Sequence, residues 1–167
     1  MNENEIIQPA KNVLVYVDGS EESLLAVRYA VVLCRSIHAA LTAMYVVNTR
    51  ALEDLVSAHI LIKSEEAEYQ RDLEADAEKY LAFAQKLGRK KNIDVQTVKK
   101  SGSISQEIKN YIKISGIDLL IVGELPRVQS RRDELYSETE RAVRGAPCSV
   151  LIIRNDERIY EWFGEEI

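Results

Sequence analysis

The sequence predicts an α/β fold, a doubly wound parallel sheet with helices on both faces. Three observations predict it. Short apolar runs rich in β-branched residues alternate with stretches of helical period. Most of these runs are continuously apolar, as strands buried on both faces are. The order is strand then helix, repeated, and it ends on a strand, which is the order of right-handed β-α-β crossovers. The chain has 167 residues, enough for one domain with short extensions.

Each element has its own signature. Residues 12–17 (NVLVYV) read as the first strand, broken by Asp18, Gly19 and Ser20. Ser20 is a good N-cap, and Glu21 and Glu22 suit the positive start of a helix. Leu24, Val27, Val31 and Cys34 then form a buried stripe. Residues 41–47 (LTAMYVV) are the second strand. Over 48–63, Leu52, Leu55, Val56, His59 and Ile60 share a helical face, which predicts a short helix or ordered flap. Ser64 opens a long helix with a stripe through Leu73, Ala77, Tyr80, Leu81, Ala84 and Leu87, closed by Gly88 in the left-handed conformation. Residues 93–98 alternate and read as an edge strand.

Ser103 and Gln106 have capping-box spacing before Ile104, Ile108, Tyr111 and Ile112, and Gly116 ends that helix. Residues 117–122 (IDLLIV) are a central fourth strand, followed by an irregular loop over 123–136. Ser137 and Glu140 form a second capping box for a short helix to Arg144, stopped by Gly145 and Pro147. Ser149–Ile153 is the fifth strand.

Composition narrows the function. Acidic residues number 27 against 22 basic, a net charge of −5, which argues against nonspecific binding to nucleic acid or anionic membrane. Cys34 and Cys148 are too few and too far apart for a disulfide framework, so reduced thiols and a cytoplasmic location are expected. The N-terminus lacks the basic start and apolar run of a signal peptide, and the longest uncharged stretch, 36–49, is too short to span a bilayer.

In doubly wound sheets, ligands sit beyond the carboxyl ends of strands where the strand order reverses. Asp18, Asn48 and Gly123 stand at such ends. The turn after the first strand lacks the G-x-G-x-x-G of a dinucleotide fold, and neither a P-loop nor a G-x-S-x-G elbow occurs. His38 and His59 are not spaced as metal ligands, and His38 falls at a helix C-terminus. No Ser/His/Asp set, metal cluster or phosphate cradle is present, so a binding protein is expected rather than an enzyme. A phosphotransfer reading would rest on Asp18 alone.

The stretches NVLVYVDGSEES, YVVNT, ISQEIKNYIKISGIDLLIVGE and ERAVRGAPCSVLIIR resemble the universal stress protein family, with A-P-C-x-V-L-I-I-R the most specific. The resemblance spans residues 12–154, leaving a polar extension over 1–11 and an aromatic, acidic tail over 155–167. It implies a five-stranded parallel sheet in the order 3-2-1-4-5, similar to adenine nucleotide alpha hydrolases.

Many family members bind ATP between the first and fourth strands through a G-x2-G-x9-G-[ST] loop. Laid on this chain, that pattern falls on Gly123, Pro126, Tyr136 and Ser137. Pro126 has no amide to donate, and Tyr136 puts a ring where bare backbone should meet phosphate. The expectation is therefore a regulatory or protective module that does not bind ATP in the usual mode. The alternative is an adenine-nucleotide switch using Asp18, Val46, Gly123 and Ser137, with Arg127 replacing glycine amides; Arg131 and Arg132 add charge that Asp133 and Glu134 oppose. The ligand stays unassigned at this point.

The resemblance also implies a twofold dimer through Ser149–Ile153, an apolar edge strand that invites pairing. Ile159, Tyr160, Trp162 and Phe163 could extend that interface or pack on their own domain.

Overall fold

The computed structural model describes residues 7–125 and 137–165. Five parallel strands form one sheet in the order β3-β2-β1-β4-β5. They are β1 (Asn12–Tyr16), β2 (Ala40–Val47), β3 (Val95–Ser101), β4 (Leu119–Gly123) and β5 (Ser149–Ile153). Between them run α1 (Glu21–Ile37), α2 (Thr49–Ser57), α3 (Lys63–Lys90), α4 (Ile104–Ser115) and α5 (Glu138–Gly145), and α6 (Arg158–Glu161) follows β5. Both the fold class and the strand order expected above are met.

Alternate residues of the central strands feed two cores. Val13, Val15 and Val17 of the first strand and its exit, with Leu41, Ala43 and Tyr45, pack beneath α1 and α3. Leu14 and Tyr16, with Met44, Val46, Leu120 and Val122, pack beneath α4 and α5. This is why the run NVLVYV is apolar at every position: neither face of β1 meets water. The register aligns Val13 with Leu41 on one side and with Leu119 on the other, so β1 and β4 end side by side. Asp118 ties the start of β1 to β4, its Oδ2 accepting from Lys11 N at 2.8 Å and Asn12 N at 2.9 Å.

Two local expectations are corrected, and a third, the short helix after β2, is met but ends sooner than its apolar face suggests. Gly88 does not close α3. It lies inside the helix, where a Cβ would meet Val95 Cγ2 at 2.5 Å and Ile93 O at 2.7 Å, so the missing side chain serves close packing on the incoming β3. Asn92 carries the positive φ of 56° instead. Ser103 makes no side-chain cap bond to α4, and Gln106 turns to Asn110. The residues of the expected flap also divide: α2 stops at Ser57, and His59 takes a φ of 59° outside it. The start of α3 forms only half of a capping box: Ile62 N donates to Glu65 Oε2, and the isoleucine side chain has no acceptor to return the bond.

The tail folds back over α1. Ile159 is 2% exposed in the α1–α3 core, with Tyr160 and Phe163 packed at its margin. The Arg28 guanidinium lies between the rings of Phe83 (5.2 Å) and Tyr160 (5.0 Å) and pairs with Glu165 at 2.5 Å. The Trp162 ring lies tilted against that of Tyr29, with 5.9 Å between centroids.

Candidate functional site

Because β2 crosses to one side of β1 and β4 lies on the other, the chain leaves a crevice at their carboxyl ends, where strand order reverses. A cleft of about 380 Å³ lies there, within the size range of small-molecule sites. Its walls come from the ends of β1 and β4 and from the first turns of α1 and α5.

The β1 side is a hydrogen-bonded turn. Asp18 Oδ1 accepts from Ser20 N at 2.9 Å and Ser20 Oγ at 2.5 Å. Ser20 Oγ in turn caps α1 by accepting from Ser23 N, and Ser23 Oγ donates to Ser20 O while accepting from Asp18 N. Gly19 takes a φ of +87°, and the Tyr80 ring of α3 lies where its Cβ would be, with the nearest ring atom at 2.3 Å. Among the described residues, Asp18 Oδ2 has no hydrogen-bond partner, so it is an acceptor open to a ligand.

The β4 side turns on Gly123. A Cβ here would meet the backbone of Glu22 at 2.4 Å and Ser23 N at 2.8 Å. Glycine at this position therefore lets the end of β4 lie against the backbone of α1. Glu124 follows, 3.6 Å from Arg154. Across the cleft Ser137 caps α5, its Oγ accepting from Glu140 N at 3.2 Å.

Glu138, beside Ser137, reaches away to α4. Its Oε2 accepts from Ser103 Oγ (2.9 Å), Ser105 Oγ (3.0 Å) and Ser105 N (3.2 Å), so it caps α4 in place of Ser103. Burial pushes its carboxyl up, but the bonds from Ser105 and Ser103 and the Arg141 charge together hold it below the usual carboxylate range. The clasp locks the start of α5 to the start of α4.

The site is electronegative. Asp18, Glu22 and Glu124 line it, and no lysine or arginine does so among the described residues. Tyr16 is driven far up its titration range by burial and then by Asp18, so its hydroxyl keeps its proton. Tyr45, on the other sheet face, is pushed up to about 12 by burial, then by Asp76, Asp18 and Tyr80. No group of three His, Cys, Asp or Glu is placed to hold a metal among the described residues. The cleft offers carboxylate acceptors, serine and threonine hydroxyls and the Tyr16 ring, a set that suits the hydroxyl and amino donors of a polar organic ligand.

Of the residues singled out in the sequence, Asp18, Gly123 and Ser137 line this cleft together. Val46 does not line it; at 4% exposure it lies in the core beside Tyr16 and Met44. Arg127, with Pro126, Tyr136, Arg131 and Arg132, lies outside the described residues. Tyr16, Ser23, Val122 and Thr139 were missed, although Tyr16 and Val122 are the last residues of their strands facing α4 and α5. That parity was a readable signal.

No helix among the described residues is long and apolar enough to cross a membrane. The chain is 27% identical over 148 residues to the universal stress protein YxiE of Bacillus subtilis, covering 84% of this chain and 97% of the relative. A universal stress protein family structure from Burkholderia pseudomallei superposes with a TM-score of 0.68 at 19% identity, over 88% of this chain and 98% of that one. A family protein from Arabidopsis thaliana with AMP bound gives 0.62 at 17% identity, over 89% and 94%. The model of the universal stress protein family matches residues 9–154, and this chain, with its 3-2-1-4-5 sheet, belongs to that family.

Proposed function

We propose that this chain is a stress-type regulatory or protective module of the cytoplasm, a twofold dimer through Ser149–Ile153, whose β1–β4 cleft does not hold ATP in the mode usual for its family. The observation that carries the reading is the charge of the cleft. A triphosphate bound there would face Asp18, Glu22 and Glu124. The helix N-termini bordering it, which would otherwise attract an anion, already have Glu21 and Glu22 in the first turn of α1 and Glu138 and Glu140 in that of α5. The described residues therefore do not fit a polyphosphate. Isothermal calorimetry with ATP, with and without magnesium, tests this. No saturable heat is expected in the micromolar range, and saturable micromolar binding overturns the reading.

A second reading, an adenine-nucleotide switch, is favoured by one observation: the unpartnered Asp18 Oδ2 in a cleft lined by hydroxyls suits a nucleoside better than its phosphates. The AMP-bound relative is compatible with it. On this reading AMP binds more tightly than ATP, and Arg127→Ala weakens AMP. Unchanged affinity in that variant removes the arginine from the site.

Chemistry beyond binding has little support. The ionisable side chains lining the described part of the cleft are carboxylates and a tyrosine that stays protonated, which supports a binding module rather than an enzyme. Nucleotide turnover abolished by Asp18→Asn would reverse that. The dimer reading rests on the apolar β5 edge, where Ile152 is 40% exposed. Trp162, 39% exposed, is the tail aromatic best able to extend it. Sedimentation of the chain beside an Ile152→Lys variant checks the assembly, with a monomer expected only for the variant.

A further inference from the structure

Away from the cleft, α3 is divided by charge. From Lys63 to Glu78 it carries seven carboxylates and two cations. From Lys79 to the cap residue Lys91 the count is five cations (Lys79, Lys86, Arg89, Lys90, Lys91) and no carboxylate. In a chain of net charge −5 this is a local reversal of sign. Between that basic half and α1 runs an open groove of about 630 Å³. Leu24, Tyr80 and Phe83 form its half-buried apolar floor, and the exposed Lys79, Lys86 and Arg89 form its rim. Among the described residues these three cations have no carboxylate partner, and Lys79 rests 5.1 Å from the Tyr80 ring.

The same basic face already holds one segment of known chemistry. The tail, acidic and aromatic, lies against the adjoining part of α1 and α3. Glu165 pairs with Arg28 and Lys90, Phe163 sits 4.9 Å from Lys91, and Lys91 donates to Trp162 O. Phe83 joins the two regions, since Arg28 stacks on it from the tail side while it floors the groove. The groove is thus a vacant continuation of a track on which carboxylates and aromatic rings dock against lysine, arginine and an apolar floor.

We propose that this groove docks an acidic segment of a partner protein, an amphipathic peptide with carboxylates on one side and leucine or phenylalanine side chains on the other. The apolar side chains cover Leu24, Tyr80 and Phe83 while the carboxylates meet Lys79, Lys86 and Arg89. Desolvated aromatic and aliphatic anchors supply affinity, and the cationic rim supplies sign selectivity and a faster encounter. Tyr80 gives the docked segment a route to the ligand cleft, because its ring also covers Gly19, between Asp18 and Ser20.

The test uses the full chain and two labelled peptides of about 16 residues, enough to cover about four helical turns. One carries glutamates opposite leucine and phenylalanine at helical spacing; the other has lysine for each glutamate. Fluorescence anisotropy is read at about 0.05 M and about 0.3 M salt, between which the screening length falls by a little more than half. The acidic peptide is expected to bind saturably, at least about tenfold more tightly than the basic one, and more weakly at high salt. The double variant Lys86→Glu, Arg89→Glu should lose about tenfold or more in affinity, while Lys113→Glu on α4 keeps it. Both substituted groove positions are exposed, so the variants should fold, and circular dichroism verifies that. Equal binding of both peptides, no binding of the acidic peptide, or indifference to the double variant overturns the proposal. So does a loss of self-association in the double variant, which assigns the groove to a second copy. Binding of anionic vesicles in place of the peptide overturns it as well.

Discussion

Replacing Gly123 by alanine separates two explanations of one glycine. If Gly123 serves only to bring backbone close to a phosphate, Gly123→Ala leaves the empty protein as stable as before. The geometry predicts otherwise. The added methyl would stand 2.4 Å from the carbonyl carbon and oxygen of Glu22 and 2.8 Å from Ser23 N. Unbonded carbons settle at about 3.5–4.0 Å, so the strand end and α1 must part by about 1 Å. No flexible side chain can give way, because the atoms are backbone. The first turn of α1 is also pinned by the Ser20 cap and by its bonds to Asp18. Overpacking of this kind costs about 1–3 kcal/mol, and rigid neighbours put this case at about 3. With a urea dependence of about 2 kcal/mol per molar, the midpoint should fall by about 1.5 M. Gly145→Ala is the control: a Cβ there meets nothing within 4 Å, and the residue is helical, so stability should rise by a few tenths of a kcal/mol or more. Urea melts of the three proteins, without ligand, decide the matter. Gly123→Ala within about 0.5 kcal/mol of the parent would refute the packing argument, since changes that small are typical of indifferent surface positions.

Other perturbations test the clasp, the thiols and the tail. Glu138 has a lowered pKa in the folded chain, so its stabilisation is complete above the ordinary value of 4.5 and is lost as pH falls through the folded value. The melting temperature of the parent should therefore drop more steeply below that pH than that of Glu138→Gln, and parallel curves would count against the clasp. Burial pushes the Cys34 thiol up to about 12, so a disulfide reagent at neutral pH should label it only on unfolding, whereas the half-buried Cys148 should react first in the native protein. Ile159→Ala should destabilise by about 2–3 kcal/mol, as buried aliphatic truncations do, and should red-shift emission from Trp162, the single tryptophan, as the tail loosens. Unchanged emission would mean that the tail is held by its ion pairs alone.

Features with a local cause were legible in the sequence. The buried strands announced themselves through unbroken apolar runs, and Ser20, Ser137 and Gly116 cap their helices as their neighbours require. What could not be read was set by a partner far along the chain. Gly88 resembles a helix stop until Val95 is seen packed against it. Ser103 has the right spacing for a self-made cap, yet the acceptor at α4 is Glu138, 35 residues away. Val46 illustrates the same limit in the site. It is in line with the crevice along β2, but it is buried in the core that also takes Tyr16, Met44 and Ile108, which removes it from the lining.

Charge links the cleft and the groove more closely than their separation in the fold suggests. Net charge of −5 gives no long-range pull toward polyanions, and the cleft deepens that deficit locally with Asp18, Glu22 and Glu124. The basic half of α3 creates the opposite field on the far side of Tyr80. An acidic peptide and a polyphosphate carry the same sign, so both are drawn toward the groove and away from the cleft. The difference between them lies in what they can bury: the peptide covers Leu24 and Phe83 with apolar side chains, while a polyphosphate leaves that floor wet and gains only screened surface attraction. Selectivity at the groove therefore comes from the apolar floor, and selectivity at the cleft from its carboxylates. An acidic peptide that has lost its leucines and phenylalanines should bind no better than inorganic triphosphate, which anisotropy competition can measure directly.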